Sequence, residues 1–169
     1  MARNLQWKRR ALLLSLAFLL LAPFSNAIPC FKIPSLEPLA RLLSISMETI
    51  PFIIYSIILA TYSYLREGKD KARNVVVGAI AVNLLALFFK FLFRRPRPIP
   101  EGTPGYPSGH SARAVWLAIE MWKRNRALGS VMFAYALGVM WSRVELCAHY
   151  PLDVVGGLLL AVIVEEVLG

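Results

Sequence analysis

Apolar residues fall in six blocks along the chain, and charged or proline-rich segments separate these blocks. The blocks cover residues 11–22, 49–65, 74–93, 111–122, 127–141 and 152–168. A helix needs about 20 apolar residues to cross a bilayer, and most of the blocks approach that length. Because only helices and closed barrels can cross the hydrocarbon core, the pattern predicts an all-α, polytopic transmembrane helical bundle with six spans.

The first block has two interpretations. Basic residues precede the apolar run from Ala11 to Ala22, and Ser25 and Ala27 follow it at the spacing of a signal-peptidase site. Segment 1–28 is therefore either a first transmembrane helix that continues to about Ile28 or a cleaved signal peptide. Cleavage would leave five spans, and we favour the retained helix.

Two proline-rich segments interrupt the apolar pattern. Residues 29–48 carry three prolines and three charged side chains before residue 42, which predicts an interfacial segment rather than a span. Residues 94–107 hold five prolines and two glycines, so no helix can persist there.

Composition supports the same class of protein. Hydrophobic residues make up 57% of the 169 residues and charged residues only 17%, against about 25% charged residues in a typical soluble domain. A single domain of this size cannot bury so much apolar surface by itself. The net charge of +9 fits basic cytoplasmic loops, and its pattern does not favour a nucleic-acid partner.

The distribution of basic residues predicts an orientation. Lysine and arginine cluster in the first ten residues, in segment 66–73 and in segment 123–126. With six spans these regions share one side with both termini, and the positive-inside rule assigns that side to the cytoplasm. The other side collects residues 29–48, 94–110 and 142–151. We therefore expect a multi-pass protein of the cell membrane with its site on the extracytoplasmic side.

The outer segments hold nearly every unusual polar side chain, including both histidines. Lys90 and several arginines form an anion-binding set, since the planar arginine fork suits phosphate; the arginines are Arg94, Arg95, Arg97 and Arg143. Ser108 and Gly109 stand at a predicted helix N-terminus, which also favours a phosphate.

The two histidines supply candidate catalytic groups. Asp153 follows His149 by four residues, so its carboxylate can hold one ring nitrogen while the other keeps a lone pair. Such an imidazole beside an anion-binding set can attack phosphorus, and His110 can protonate the leaving oxygen. No ligand spacing for a metal is present, and Cys30 and Cys147 form neither a zinc pattern nor a CxxC pair.

Three motifs carry a resemblance to a known family. They are Lys90-x6-Arg97-Pro98, Pro107-Ser108-Gly109-His110 and Ser142-Arg143-x5-His149-x3-Asp153. These resemble the signature motifs of the type-2 phosphatidic acid phosphatase (PAP2) superfamily, the lipid phosphate phosphatases. They run from residue 90 to residue 153 within one predicted domain, 1–169.

The resemblance implies a role for each motif residue. His149 would be the nucleophile that forms a phosphohistidine, Asp153 would orient it, and His110 would protonate the leaving group and then activate water. No metal and no cofactor are implied. The implied phosphate-binding residues are Lys90, Arg97, Ser108, Gly109 and Arg143.

The implied activity is that of a membrane lipid phosphatase. Its expected partners are membrane lipids and a lipid phosphate substrate: a polyprenyl diphosphate, phosphatidate or phosphatidylglycerol phosphate. Two alternatives stay open, a phosphotransferase with the same intermediate and a non-catalytic binder or transporter of lipid headgroups. The second alternative leaves His110 and the His149–Asp153 pair without a task.

The proline-rich segment contains two Arg-Pro pairs, and only one can belong to the first motif. Arg97 has six residues between it and Lys90, as the motif requires, whereas Arg95 has four. We therefore expect Arg97 to bind phosphate and Arg95 to turn toward lipid headgroups. Since Pro96 disfavours helical backbone at Arg95, the preceding helix should end at about Arg94.

Overall fold

The computed structural model of the protein describes residues 2–100 and 102–168. Within these ranges no β-strand occurs, and the all-α class is confirmed. Short 3₁₀ turns lie at Ala22–Phe24 and Pro34–Leu36. The α-helices of the described residues are α1 (Ala2–Leu21), α2 (Glu37–Ile45), α3 (Thr49–Arg66), α4 (Lys69–Phe93), α5 (Gly109–Arg124), α6 (Arg126–Glu145) and α7 (Pro151–Leu168).

Helix α5 lies at the centre of the bundle. It packs against α4, α6 and α7, while α1 packs on α7, α2 on α6 and α3 on α4. Trp116 of α5 is fully buried, and it lies so close to Gly78 of α4 that a side chain at Gly78 would meet its indole ring. Because α5 is surrounded by three helices, nearly all of its side chains are at least partly buried, although the helix contains both apolar and charged residues.

The loops gather at two ends of the bundle. At one end, Arg124 of α5 pairs with Glu67 at 3.0 Å, and Lys123 pairs with Glu165 of α7. At the other end, a disulfide between Cys30 and Cys147 joins the segment before α2 to the loop after α6. These two groups match the two sets of loops expected from the charge pattern. The assignment of one end to the cytoplasm stays a prediction.

Among the described helices, α3, α4 and α6 are long and apolar enough to cross a membrane. Helix α5 has only 16 residues, α7 contains three acidic residues, and α1 contains basic residues in its first half. The six predicted spans are therefore not confirmed. Charged groups of α5 and α7 lower the hydropathy of these helices, although Lys123 and Glu165 pair with each other in the bundle.

Two helix boundaries differ from the prediction. Only Glu67 and Gly68 separate α3 from α4, so most of the expected charged turn 66–73 is helical. Lysine, alanine and arginine are good helix formers whether or not they lie on an apolar face, and Gly68 supplies the reversal with φ of 100°. Helix α6 continues to Glu145 rather than ending near residue 141, because its last turn is buried under residues that precede α3.

The first apolar block forms α1 and belongs to the bundle. Phe18 is 2% exposed, and its ring lies 4.8 Å from that of Phe89. The hydroxyl of Tyr106 donates to the carbonyl oxygen of Phe18 at 2.5 Å. These contacts favour a retained first helix over a cleaved signal peptide, and retention stays a prediction.

The segment expected at the interface contains the nine-residue helix α2. Ala40 and Ser44 are buried on the side that faces α6, whereas Leu39, Leu42 and Ile45 are exposed. An amphipathic helix of this kind suits the boundary of a membrane. Its placement at the interface stays a prediction.

Candidate active site

Parts of α4, α5, α6 and their connecting loops converge at the end of the bundle that holds the disulfide. They enclose a cavity of about 570 Å³. Six of the eight predicted site residues line it: Lys90, Arg97, Gly109, His110, Arg143 and His149. Motif residues that are far apart in the sequence thus share one cavity.

The other two predicted residues, Ser108 and Asp153, lie behind the lining and are fully buried. Ser108 is the N-cap of α5, where its Oγ accepts hydrogen bonds from Ser111 N at 3.4 Å and Ser111 Oγ at 3.0 Å. Its own N–H donates to the carbonyl oxygen of Asp153 at 2.9 Å. Ser108 therefore stabilises the start of α5, and a direct contact with phosphate stays a prediction.

Gly157 explains how α7 approaches the Ser108 loop so closely. A Cβ at this position would collide with the carbonyl oxygen of Ser108 and would lie 2.8 Å from Cβ of Ser111. Only glycine therefore allows α7 to bring Asp153 against the first turn of α5.

His149 and Asp153 are arranged as their spacing predicts. Nδ1 of His149 lies 3.4 Å from Oδ2 of Asp153, and Tyr150 N–H donates to the same carboxylate oxygen at 3.0 Å. His149 itself is 1% exposed. Since the ring lines the cavity and Asp153 contacts Nδ1, Nε2 is the nitrogen left to face the cavity.

The surroundings of His149 keep its ring neutral. Burial has the largest effect and lowers the pKa of His149 well below its ordinary value of 6.5, and the positive charges of Lys90, Arg97 and Arg143 lower it further. At neutral pH the ring therefore retains the lone pair that a nucleophile requires.

Neutral oxygen atoms hold the cationic side chains in place around the cavity. Lys90 Nζ donates to the carbonyl oxygens of Pro104 at 2.7 Å and Gly105 at 3.1 Å. Arg97 Nε donates to the carbonyl oxygen of Thr103 at 2.6 Å, and Arg143 donates to the hydroxyl of Ser44. Positive charge is thus concentrated where it can stabilise an anion.

The two Arg-Pro pairs have different surroundings. Helix α4 ends at Phe93, close to the end expected from Pro96. Arg94 then adopts a left-handed conformation with φ of 49°. Arg97 then lines the cavity, whereas Arg95 Nη2 donates to the carbonyl of Pro23 and the side chain of Asn26, both at 2.8 Å. Arg95 therefore holds the segment after α1, which offers it acceptor oxygens, and its expected approach to headgroups stays a prediction.

The same cavity is lined by further polar residues that the sequence analysis did not assign to the site, among them Glu48, Asn83 and Arg113. Arg113 follows His110 by three residues and Asn83 precedes Lys90 by seven, so each pair shares a helix face. This spacing is a signal that could have identified both residues.

Glu48 contacts a catalytic candidate across a long sequence separation. Its Oε1 lies 3.2 Å from Nε2 of His110, and this contact lowers the pKa of Glu48 to about 2. The carboxylate is therefore ionised and can orient the His110 ring. Burial has the larger effect on the histidine and lowers the pKa of His110 to about 4, so its ring is neutral at neutral pH before an anion binds. No local spacing in the sequence indicates this pair.

An apolar groove adjoins the polar cavity. It has a volume of about 640 Å³, lies between α3 and α4, and is lined mainly by aliphatic side chains. The two spaces share Thr49, Asn83, Leu87 and Arg113. A molecule with an anionic head and an apolar tail can therefore occupy both.

The cysteines, which no sequence pattern linked, form a disulfide with 5.4 Å between their Cα atoms. Cys147 stands two residues before His149, so the disulfide ties the segment before α2 to the loop that carries His149. In the part of the chain that the structure describes, no three histidine, cysteine or acidic side chains cluster to hold a metal ion. Metal independence stays a prediction.

A curated relative matches part of the chain. Undecaprenyl-diphosphatase BcrC of Bacillus subtilis is 30% identical over 111 residues, which cover 57% of this chain. The alignment covers 58% of BcrC, so the chain spans less than two thirds of that relative's length.

Two solved structures share the fold. A transmembrane PAP2-type phosphatidylglycerolphosphate phosphatase from Bacillus subtilis superposes with a TM-score of 0.71 at 20% identity, covering 99% of this chain and 94% of the other. LpxE of Aquifex aeolicus gives a TM-score of 0.64 at 21% identity, covering 86% and 90%. The sequence model of the PAP2 superfamily matches residues 71–167, which is more than half of the chain and includes all three motifs. The chain therefore belongs to the PAP2 superfamily.

Proposed function

We propose that this protein hydrolyses the terminal phosphate of a membrane lipid through a phosphohistidine intermediate on His149. The geometry of His149 carries the proposal. Its neutral ring contacts Asp153 through Nδ1 and lines a cavity whose lining includes the cationic side chains of Lys90, Arg97 and Arg143. The adjoining apolar groove offers a place for the lipid tail.

In the first step, the lone pair on Nε2 of His149 attacks the terminal phosphorus. An N–P bond forms while the bond from phosphorus to the bridging oxygen breaks, and the electron pair stays on that oxygen. The negative charge of the bound phosphate raises the pKa of His110, whose protonated form then donates a proton to the oxygen, and Glu48 orients the ring for this transfer. Lys90, Arg97 and Arg143 stabilise the negative charge on the other phosphate oxygens.

In the second step, water attacks the phosphorus of the phosphohistidine. His110, now neutral, takes a proton from the water, and the N–P bond breaks with its electron pair returning to Nε2. Inorganic phosphate leaves, and one water molecule is consumed per turnover. The residues of the chain supply all of these groups, so the proposed mechanism uses neither a metal ion nor a cofactor.

The proposed substrate class is the lipid phosphates, with polyprenyl diphosphates as the first candidates. The name of the relative BcrC supports this choice, since it specifies an undecaprenyl diphosphate. Phosphatidate and phosphatidylglycerol phosphate are the other candidates.

We further propose that the site faces the extracytoplasmic side of the cell membrane and that both termini are cytoplasmic. The clusters of basic residues at 66–73 and 123–126 support this orientation, because cytoplasmic loops are enriched in such residues. The disulfide at the site end supports it as well, since disulfides persist mainly outside the reducing cytoplasm.

The test is phosphate release by the full chain, purified in detergent with a metal chelator present. The substrates are a prenyl diphosphate, phosphatidate and phosphatidylglycerol phosphate, and His149→Ala is the inactive control. We expect release from at least one lipid by the unchanged protein and none by the variant, while melting curves show that both are folded. Transfer of phosphate to an added alcohol without release to water would indicate a phosphotransferase. Lipid binding without turnover would indicate a headgroup binder.

A further inference from the structure

Arg113 lies at the junction between the polar cavity and the apolar groove. It lines both spaces, whereas His110 and His149 line only the polar cavity. A lipid that places its reacting phosphate at His149 and its tail in the groove must therefore pass Arg113.

The guanidinium of Arg113 is held in a defined position. Its Nε donates to Asn83 Oδ1 at 2.8 Å, Nη1 to the carbonyl oxygen of Met47 at 3.2 Å, and Nη2 to the hydroxyl of Thr49 at 3.1 Å. These three acceptors are neutral, so the side chain keeps its full positive charge. Three of its five N–H donors are used in this way, which leaves donors for a ligand.

The position of Arg113 relative to His110 indicates which part of a substrate it meets. The two residues lie three positions apart on one face of α5, which places them about 4.5 Å apart along the helix axis. In the proposed reaction His110 serves the bridging oxygen. The group beyond that oxygen, on the side of the tail, therefore lies opposite Arg113.

That group differs between the candidate substrates. In a lipid phosphomonoester the bridging oxygen is attached to carbon, so the atom next to it offers Arg113 no anionic partner. In a prenyl diphosphate it is attached to a second phosphate, which is a strong partner for a fixed guanidinium. Negative charge develops on the bridging oxygen as its bond to phosphorus breaks, before the proton from His110 neutralises it, so the contact also favours the transition state.

We propose that Arg113 binds the phosphate that remains on the lipid, so that the site is specific for prenyl diphosphates over lipid monophosphates. This inference rests on the proposed phosphatase function and specifies its substrate. Asn83 acts as a positioning residue, because it holds Nε of Arg113.

The test compares two substrates with the same tail, farnesyl diphosphate and farnesyl monophosphate. The full chain and its Arg113→Gln, Arg113→Lys and Arg97→Ala variants are assayed in detergent. For Arg113→Gln we expect kcat/KM for the diphosphate to fall about 10- to 100-fold, the usual effect of losing a hydrogen bond between charged groups, with a clearly smaller fall for the monophosphate. Arg113→Lys should lose less, whereas Arg97→Ala should lose activity on both substrates.

Equal losses on the two substrates, or no loss on either, would overturn the role of Arg113. Absence of turnover of either lipid by the unchanged protein would instead contradict the proposed function itself. Should Arg113→Gln fail to fold, Asn83→Ala tests the same inference, because it releases one guanidinium contact and leaves the charge. A selective loss on the diphosphate supports the inference, and an equal effect on both substrates overturns it.

Discussion

Arg97 and Arg95 are two residues apart, yet their contacts predict opposite effects of substitution by alanine. Arg97 lines the cavity and donates to the carbonyl oxygens of Thr103 and Ala148. Arg95 lies outside the cavity lining and holds the segment after α1. Arg97→Ala should therefore reduce turnover, and Arg95→Ala should reduce stability.

The expected magnitudes separate the two variants clearly. Loss of one positioned donor to a developing anion raises the activation free energy by about 2.7–4 kcal/mol, or about 10²–10³-fold in kcat. Arg95→Ala should raise the activation free energy by about 1 kcal/mol or less, as expected for a partly exposed contact. Its lost hydrogen bonds to Pro23 and Asn26 should lower the free energy of unfolding by about 1–2 kcal/mol.

The assay measures kcat and kcat/KM for phosphate release by both variants, together with their melting temperatures in the same detergent. Each variant is the matched control for the other, since both remove one arginine from the same proline-rich segment. A larger loss of turnover in folded Arg95→Ala than in folded Arg97→Ala would refute the motif register and the phosphate-binding role of Arg97.

Acidification below about pH 6.5 should lower the free energy of unfolding, because His149 in the unfolded chain binds a proton at its ordinary pKa of 6.5 while burial lowers the pKa of the folded ring. The loss is at most about 1.4 kcal/mol per pH unit for this group, and denaturation curves of His149→Gln should show a shallower pH dependence, with an unchanged slope as the contrary result. Gly109→Ala should preserve the melting temperature, since its Cβ would meet no atom within 4 Å, but should raise KM because the methyl group occupies space in the cavity. Gly157→Ala should instead lower the melting temperature through its collision with Ser108, and equal melting temperatures of the two variants would contradict this packing argument. N-terminal sequencing of the protein from membranes should show that α1 is retained, and a sequence beginning at Ile28 would establish cleavage.

Some of the site could be predicted because its residues interact over one or two helical turns. The four-residue separation of His149 and Asp153 and the conformational effect of Pro96 are local properties of the chain. Both survive in the structure, where Asp153 contacts the His149 ring and α4 ends at Phe93. The helical bundle itself follows from the apolar blocks, because a chain segment inside a bilayer must pair its backbone N–H and C=O groups internally.

Other features depend on which helices become neighbours, and no periodicity encodes that choice. The Cys30–Cys147 bond joins residues 117 positions apart. The contact between Glu48 and His110 exists only because the turn before α3 packs on the first turn of α5. Helix α6 extends beyond its apolar block because tertiary contacts give the buried side chains of Arg143 and Glu145 hydrogen-bond partners.

The sequence by itself determined the class of the fold, the three motifs and the residues that can perform phosphate chemistry. Local geometry and side-chain type are sufficient for those conclusions. Only the tertiary structure decided that Arg95 holds the segment after α1 while Arg97 lines the cavity, and that Arg113 stands between the polar cavity and the apolar groove. The physical reason is that a side chain's partners are set by the packing of whole helices against one another, which depends on all the buried surfaces together rather than on any single segment.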